Sequence, residues 1–267
     1  MEERELELGS GRTHVELEGR GTPFVWAHGF TQSIAGENAL GTDALLRGLP
    51  GVELVRYDAR GHGRSAPARD VAAGAWSALA SDLLELVAAL GLPRPVAGGA
   101  SMGTATTLHA AVRAAGAFRG LVLVVPPTAW ETRKAQGDLY LAGAGLVEAR
   151  GVAAYVAAAR EAFKTRPMPG LTPELQERML AELSAKSAPD LARMLRGAAA
   201  SDLPEPARLR ELSLPALVIA TRGDPGHPLS TAEQLEQLLR AELVVLDDLT
   251  QLSRAREPLV RFLSGLR

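Results

Sequence analysis

The residues most suggestive of chemistry are Gly99-Ala100-Ser101-Met102-Gly103, which fit the pattern G-x-S-x-G. Pro95 to Gly98 before them are predicted to form a short strand, and an Ala-rich helix is predicted to follow, to about Ala115. A serine on a tight strand-to-helix turn needs small neighbours and faces the first amides of the helix, which favour developing negative charge. A chance Gly/Ser-rich turn would also match, but the strand and helix on either side favour a nucleophilic serine.

The elements that must position Ser101 alternate between strands and helices. A hairpin is predicted over residues 4 to 18, and strands at Pro23 to Ala27, Val52 to Tyr57 and Leu121 to Val125. The last of these is continuously apolar, as expected of a parallel sheet covered on both faces. The pattern predicts an α/β fold with a doubly wound, mostly parallel sheet.

One helix is predicted between the strand at Val52 to Tyr57 and the strand at Pro95 to Gly98. Leu79, Leu83, Leu86, Val87 and Leu90 recur at helical spacing. Ser77 is expected to cap its start and Gly91 to end it.

The alternation stops after Pro126-Pro127. From Thr128 to about Pro206 only helical segments are predicted, with starts at Thr172-Pro173 and Ser187 to Asp190. Strands resume at Ala216 to Ala220 and Leu243 to Leu246, with helices at Leu229 to Leu239 and Ser253 to Leu266. We therefore predict a core formed by residues 1–127 and 207–267, with residues 128–206 as a helical cap.

Large side chains of the cap should in part line an apolar pocket. The best candidate is Trp130, because it follows the strand end where the cap leaves the sheet. The full set is Trp130, Tyr140, Tyr155, Phe163, Met168, Met179 and Met194.

On these motifs the chain resembles the α/β-hydrolase superfamily, in particular its small capped esterases and enol-lactonases. His28-Gly29-Phe30 resembles the oxyanion loop of that superfamily, and Asp58 to Ser65 resembles its D-x-R-G-x-G-x-S loop. The resemblance implies a mobile cap and an oxyanion hole formed by the backbone amides of Phe30 and Met102.

The same resemblance implies a catalytic carboxylate in the loop after the strand at Ala216 to Ala220. Asp224 lies there, in Thr221-Arg222-Gly223-Asp224-Pro225. Such a carboxylate orients a histidine and stabilises its charged form. An Asp beside Gly and Pro is also common in ordinary turns, but its order along the chain favours the catalytic role.

The resemblance further implies a histidine after the last strand, seven residues before a proline in the terminal helix. Counting back from Pro258 gives Gln251, and no histidine follows His227. A glutamine amide forms hydrogen bonds but cannot take a proton near neutral pH. We therefore expect Gln251 to lie between Ser101 and Asp224, in a chain disabled at its base.

The other histidines offer one alternative base. His28, His62, His14 and His109 are expected to be structural. His227 follows Asp224 by three residues, in a loop that should neighbour Gln251. It is the one candidate for a surrogate base, the alternative being an exposed turn histidine before Pro228.

Composition sets the remaining limits. The chain has 267 residues, 46 % hydrophobic, with a net charge of −2 and no cysteine, which excludes disulfides and a cysteine nucleophile. The nearly balanced charge does not indicate a nucleic-acid partner. No apolar run is expected to span a bilayer, so no membrane partner is indicated either. The acidic start, Met1 to Glu5, is unlike a secretory signal, so a cytoplasmic protein is expected. The abundance of Ala, Arg, Leu and Gly suggests a bacterial source. Without metal-ligand spacing or a phosphate loop, no cofactor is expected.

Two classes of function remain open at this point. The first is a serine hydrolase of small carboxylic esters or lactones, disabled at position 251. The second is a natural non-hydrolytic protein, either a ligand-binding protein or a lyase, cyclase or isomerase that uses the oxyanion hole. Carbon–carbon bond hydrolysis and perhydrolysis are a third, weaker option. Acyl specificity and oligomeric state are not legible from one sequence.

Overall fold

The computed structural model describes residues 1–165 and 169–266, and its centre is one sheet of eight strands. In chain order these are β1 (Glu2–Leu8), β2 (Gly11–Gly19), β3 (Thr22–Ala27), β4 (Val52–Tyr57), β5 (Val96–Ala100), β6 (Gly120–Val124), β7 (Ala216–Thr221) and β8 (Glu242–Leu246). Their spatial order is β1-β2-β4-β3-β5-β6-β7-β8. The pairs β1–β2 and β2–β4 are antiparallel, and all later pairs are parallel. This confirms the predicted fold class.

Helices cover both faces of the sheet, as its continuously buried central strands require. They are α1 (Ile34–Leu40), α2 (Trp76–Ala89), α3 (Met102–Arg113), α4 (Arg133–Thr165), α5 (Pro173–Ser184), α6 (Ala188–Ala199), α7 (Pro206–Arg210), α8 (Leu229–Leu239) and α9 (Arg256–Gly265). One buried apolar cluster packs α2, α3 and α8 on the sheet, and a second packs α9 on the other face. The parallel strands therefore end together at one edge, where the loops that carry function meet.

The described residues between β6 and β7 are helical or loop, which agrees with the predicted helical insertion. The side chain of Thr172 caps α5 by accepting from the amide of Leu175, and Ser187 caps α6 by accepting from Asp190. Both predicted helix starts are therefore correct. Within α4 the chain leaves helical geometry at Gly151, whose φ is 79°. Met168 lies outside the described residues.

Two predicted helix starts are wrong. Ser77 does not cap α2, which begins one residue earlier; the amide of Trp76 instead donates to Ser201 Oγ at 3.0 Å, so a side chain of the insertion serves as its partner. The terminal helix begins at Arg256 rather than Ser253, because residues Leu249–Ala255 form a 3₁₀ segment. Gln251 lies within this 3₁₀ segment.

One helical segment corrects the expectation that no run could span a bilayer. Trp130–Thr165 is long and apolar enough by length and composition, with a mean hydropathy of 1.2 over 18 residues. In the structure this segment packs against α5 and α6, burying Ala144 and Val147. Leu139 and Leu141 remain 46 % exposed on its outer side.

Candidate active site

Ser101 lies between β5 and α3 with φ 52° and ψ −110°. A positive φ is strained for a residue with a Cβ, so the predicted strained turn is confirmed. The amide of Ser101 donates to the Val124 carbonyl at 3.0 Å, which ties the turn to β6. The neighbouring glycines leave room for it, since a Cβ on Gly103 would lie only 1.9 Å from the carbonyl oxygen of Ala27.

This close approach gives a first prediction. Gly103→Ala should lower the free energy of unfolding by roughly 3 kcal/mol, because α3 must move away from β3 to admit the methyl group. Urea unfolding followed by circular dichroism measures the effect. The matched control is Gly145→Ala, a helical glycine with nothing within 4 Å of the added Cβ, which should gain about 1 kcal/mol from helix propensity. Equal stability of the two variants would contradict the close approach.

His227 joins Ser101 to Asp224. Its Nε2 lies 2.8 Å from Ser101 Oγ and its Nδ1 lies 2.7 Å from Asp224 Oδ2. With the proton on Nδ1, that N–H donates to the carboxylate and Nε2 accepts from the serine hydroxyl. This is the geometry of a serine–histidine–acid triad, in which the base contacts the nucleophile and the acid orients the base.

A single tight turn builds the acid–base pair. Asp224 to His227 form a turn in which the His227 amide donates to the Asp224 carbonyl at 3.2 Å, with Pro225 and Gly226 at its centre. The Asp224 Oδ1 accepts from the Gly226 amide at 2.8 Å, which leaves Oδ2 for the imidazole. The turn therefore fixes the orientation of the carboxylate as well as its distance from the ring.

The electrostatics favour an ionised Asp224. Its side chain is only 4 % exposed, and burial by itself raises the pKa of this carboxyl. Attraction to His227 and the hydrogen bonds from the His227 side chain and the amides of Gly226 and His227 outweigh burial, so the pKa of Asp224 is lowered from its usual value. The carboxylate is thus available to stabilise a protonated imidazole.

Gln251 does not stand where the sequence predicted. Its Nε2 donates to Asp247 Oδ2 at 3.0 Å, and its Oε1 accepts from the Asp247 amide at 3.2 Å. Gln251 lies within the 3₁₀ segment Leu249–Ala255, which repeats every three residues. Leu249 and Leu252 therefore share the inward face and line the cavity beside Ser101, while Gln251 is turned away.

Trp130, predicted to line the pocket, is not among the residues that surround this cavity. Its amide donates to Asp202 Oδ1 at 3.0 Å and its Nε1 donates to the Pro204 carbonyl at 3.2 Å. Because Trp130 lies near the start of the insertion and residues 202–204 lie near its end, these bonds hold the two ends together. Of the predicted cap side chains, Met179 does line the cavity.

The predicted oxyanion residues lie next to Ser101. Phe30 and Gly29 line the same cavity as Ser101, and a Cβ on Gly29 would lie 3.8 Å from the Ser101 Cβ. Met102 is the first residue of α3, where amides lack intrahelical partners. The Phe30 ring also packs 5.3 Å from that of Tyr140 in α4, which links this loop to the insertion.

The remaining histidines have structural partners. His28 Nε2 accepts from the Ala59 amide at 2.9 Å, and its Nδ1 donates to the Gly29 carbonyl at 2.8 Å. His62 Nδ1 lies 3.0 Å from the Arg60 carbonyl and His109 Nε2 lies 2.9 Å from the Asp202 carbonyl. Burial lowers the pKa of both His28 and His62. Across residues 1–165 and 169–266, no cluster of three potential ligands is arranged to hold a metal ion.

His227 was the alternative base considered from the sequence, and the signal for it was local. In the sequence Asp-Pro-Gly-His, a turn centred on Pro225 and Gly226 brings residues i and i+3 to the same side of the chain. The family resemblance predicted the base after β8, at position 251. The structure places an imidazole in the equivalent contact from the preceding loop.

Comparison with known proteins shows the family to which the chain belongs. Residues 24–262 match the profile described as "Alpha/beta hydrolase family". The 3-oxoadipate enol-lactonase 1 of Acinetobacter baylyi is 26 % identical over 85 % of this chain and 84 % of its own length. The enol-lactonase of Burkholderia xenovorans LB400 superposes with a TM-score of 0.78 at 20 % identity, covering 98 % of this chain and 100 % of its own. A thermophilic esterase from Thermogutta terrifontis superposes with a TM-score of 0.77 at 21 % identity, covering 100 % of this chain and 99 % of its own. The chain therefore belongs to the alpha/beta hydrolase family.

Proposed function

We propose that this chain is an active hydrolase of small carboxylic esters or lactones, with Ser101 as nucleophile, His227 as general base and Asp224 as the orienting acid. The observation that carries the proposal is the continuous contact from Asp224 through His227 to Ser101. The expectation of a disabled chain rested on the lack of a base at position 251, and His227 supplies that base from another loop.

The chemistry proceeds through an acyl-enzyme. As Ser101 Oγ attacks the carbonyl carbon, its proton passes to His227 Nε2, and Asp224 stabilises the imidazolium. The carbonyl oxygen becomes an oxyanion, for which the amides of Phe30 and Met102 are the proposed donors. The imidazolium then gives its proton to the leaving alkoxide. Water, deprotonated by the same histidine, then attacks the acyl carbon; the acyl–serine bond breaks, the imidazolium returns its proton to Ser101 Oγ, and the acid is released.

For a lactone the leaving alkoxide stays attached to the acyl chain, so the product is one hydroxy acid. The cavity beside Ser101 has a volume of about 190 Å³, which suits a small substrate. Residues 128–206 are proposed to act as a cap over it, since Met179 of α5 forms part of its wall. We propose that the protein works in the cytoplasm.

The non-hydrolytic alternative is less well supported. A binding protein or an isomerase that used only the oxyanion hole would have no need of an imidazole bonded to the serine hydroxyl. The bond at 2.8 Å between His227 and Ser101 therefore favours hydrolysis over that class.

The test is active-site labelling combined with an ester and lactone panel. A fluorophosphonate should add covalently to one serine, located by peptide mass spectrometry at Ser101, because only an activated serine reacts at a useful rate. Short-chain esters and small lactones should be hydrolysed, and Ser101→Ala should be neither labelled nor active. Absence of both labelling and turnover in the folded wild-type chain would refute the proposed function.

A further inference from the structure

Glu37 is a buried acid in the wall of the Ser101 cavity, on α1. Glu37 is only 5 % exposed to solvent. The Oε1 atom accepts from the indole Nε1 of Trp26 at 3.0 Å, and Trp26 lines the same cavity. The Oε2 atom is buried with no hydrogen-bond partner in the part of the chain that the structure describes. A buried polar atom of this kind is costly unless something pairs with it.

A second unpartnered acceptor lies close by in the same wall. Gln32 also lines the cavity, and its Oε1 is likewise buried without a partner among the described residues. Its position next to α1 is fixed by a turn in which the Gln32 amide donates to the Gly29 carbonyl at 3.1 Å. Two residues of the cavity wall thus each carry an unpartnered acceptor oxygen that a bound molecule could satisfy.

Arg56, the cation whose charge acts on Glu37, has other hydrogen-bond partners. Arg56 of β4 donates to Asn38 Oδ1 at 2.6 Å and to Glu16 Oε2 at 2.8 Å. The described residues that line the cavity include neither lysine nor arginine. A substrate carboxylate held there would therefore meet Glu37 and Asp224 with no positive partner from these residues.

Burial is the main influence on the charge of Glu37. It raises the pKa of this carboxyl to about 7, although the Trp26 hydrogen bond and the attraction of Arg56 act against it. Asp43 and Asp58 add to the rise. The remaining charged or titratable groups that face α1 or the cavity are Glu182 and Arg178 from α5, Arg47 paired with Asp43, Glu16 paired with Arg56, and Asp224 and His227 across the cavity.

We propose that Glu37, together with Gln32, selects the acyl group of the substrate: it accepts uncharged esters or lactones whose acyl chain bears a hydrogen-bond donor such as a hydroxyl or amide, and it excludes acyl chains that end in a carboxylate. This inference rests on the proposed hydrolase function. A donor on the acyl chain satisfies the orphaned Oε2, while a carboxylate adds a like charge in a water-poor cavity. Glu37 is a specificity residue and takes no part in bond breaking.

The test compares two isosteric methyl esters, the monomethyl ester of adipic acid and the methyl ester of adipic monoamide. The two esters share methanol as the leaving group and differ only at the far end of the acyl chain, so the ratio of their rates reports on recognition of that end. The amide-to-acid ratio of kcat/KM should rise about tenfold between about pH 6 and about pH 8 as Glu37 ionises. Any effect that acts on both esters alike cancels in this ratio.

Two variants separate Glu37 from general charge effects. Glu37→Gln keeps an acceptor for Trp26 but cannot ionise, so its ratio should be independent of pH and lower than that of the wild type. Glu182→Gln removes a carboxylate that lies against Gly36 of the same helix but does not line the serine cavity. It should retain the wild-type rise. A pH-dependent ratio in Glu37→Gln would overturn the proposal.

A binding measurement keeps the proposal testable if no ester is hydrolysed. Ser101→Ala should bind the amide ester more tightly than the acid ester in calorimetric titrations, and the ratio of Kd values should widen from about pH 6 to about pH 8. Tryptophan fluorescence should report the same titration through Trp26 and lose it in Glu37→Gln. A pH-independent Kd ratio, or no binding of either ester to Ser101→Ala, would overturn the role of Glu37. Failed hydrolysis alone would count only against the proposed function.

Discussion

Replacing His227 by glutamine should lower kcat/KM for ester hydrolysis by about 10⁶-fold, on the scale of the histidine loss measured in the subtilisin triad. Glutamine keeps comparable bulk and can still bond to Asp224 and Ser101, but it cannot take the serine proton. The loss corresponds to about 8 kcal/mol of transition-state stabilisation. A residual rate of about 10³ to 10⁴ over water should remain from binding and the oxyanion hole. Initial rates on the most reactive ester of the panel measure it.

The matched control is the glutamine that sequence reasoning assigned to the site. Gln251→Ala and Gln251→His should both stay within a few-fold of the wild-type rate, because this side chain bonds to Asp247 rather than to Ser101. The free energy of unfolding of both variants should lie within about 1 kcal/mol of the wild-type value, as expected of a surface substitution. A large gain in Gln251→His, with His227→Gln unimpaired, would show that the base belongs at position 251 after all.

The sequence was sufficient to predict the strained turn at Ser101 and the sheet. Ser101 was identified because its motif stands between an apolar strand and an Ala-rich helix, which is the context that the strained turn requires. The parallel sheet followed from continuous apolar runs such as β6 and β7, which are buried on both faces. These features depend on local patterns of a few residues, so a single sequence carries them.

The position of Gln251 depended on a helix boundary, which sequence patterns fix poorly. The segment after β8 was expected to lead directly into an α-helix from Ser253. Asp248 instead caps a 3₁₀ segment by accepting from the Thr250 amide at 2.8 Å. Gln251 therefore lies within this segment and bonds to Asp247, rather than in a short loop beside the serine.

Glu37 left no signal in the sequence because its importance comes from tertiary packing. It lies on a helix of seven residues, beside small and apolar neighbours, where an acid ordinarily faces water. Only the packing of Trp26 against α1 and the position of the Ser101 cavity bury it. Burial of one carboxyl in a cavity wall is a property of the assembled fold, and a single sequence does not record it.

Replacing Asp224 by asparagine should lower kcat by about 10⁴-fold, the scale of the equivalent substitution in the chymotrypsin-like triad. The turn makes this substitution informative. Oδ1 of residue 224 accepts from the Gly226 amide at 2.8 Å, so the oxygen of an asparagine should keep that position. Its amide N–H₂ would then point at His227 Nδ1 in place of the Oδ2 that now lies 2.7 Å away.

A donor at that position forces the imidazole into the other tautomer, with its proton on Nε2 facing Ser101. Such a ring cannot accept the serine proton, although every atom remains in place. Because the pKa of Asp224 is already lowered, the carboxylate is ionised across neutral pH, and the loss in Asp224→Asn should be nearly constant there. Single-turnover kinetics with an activated ester measure the acylation step directly. Asp247→Asn, which removes the exposed carboxylate that Gln251 bonds, is the control and should remain active. A loss below about tenfold in Asp224→Asn would mean that the turn, rather than the charge of the acid, orients His227.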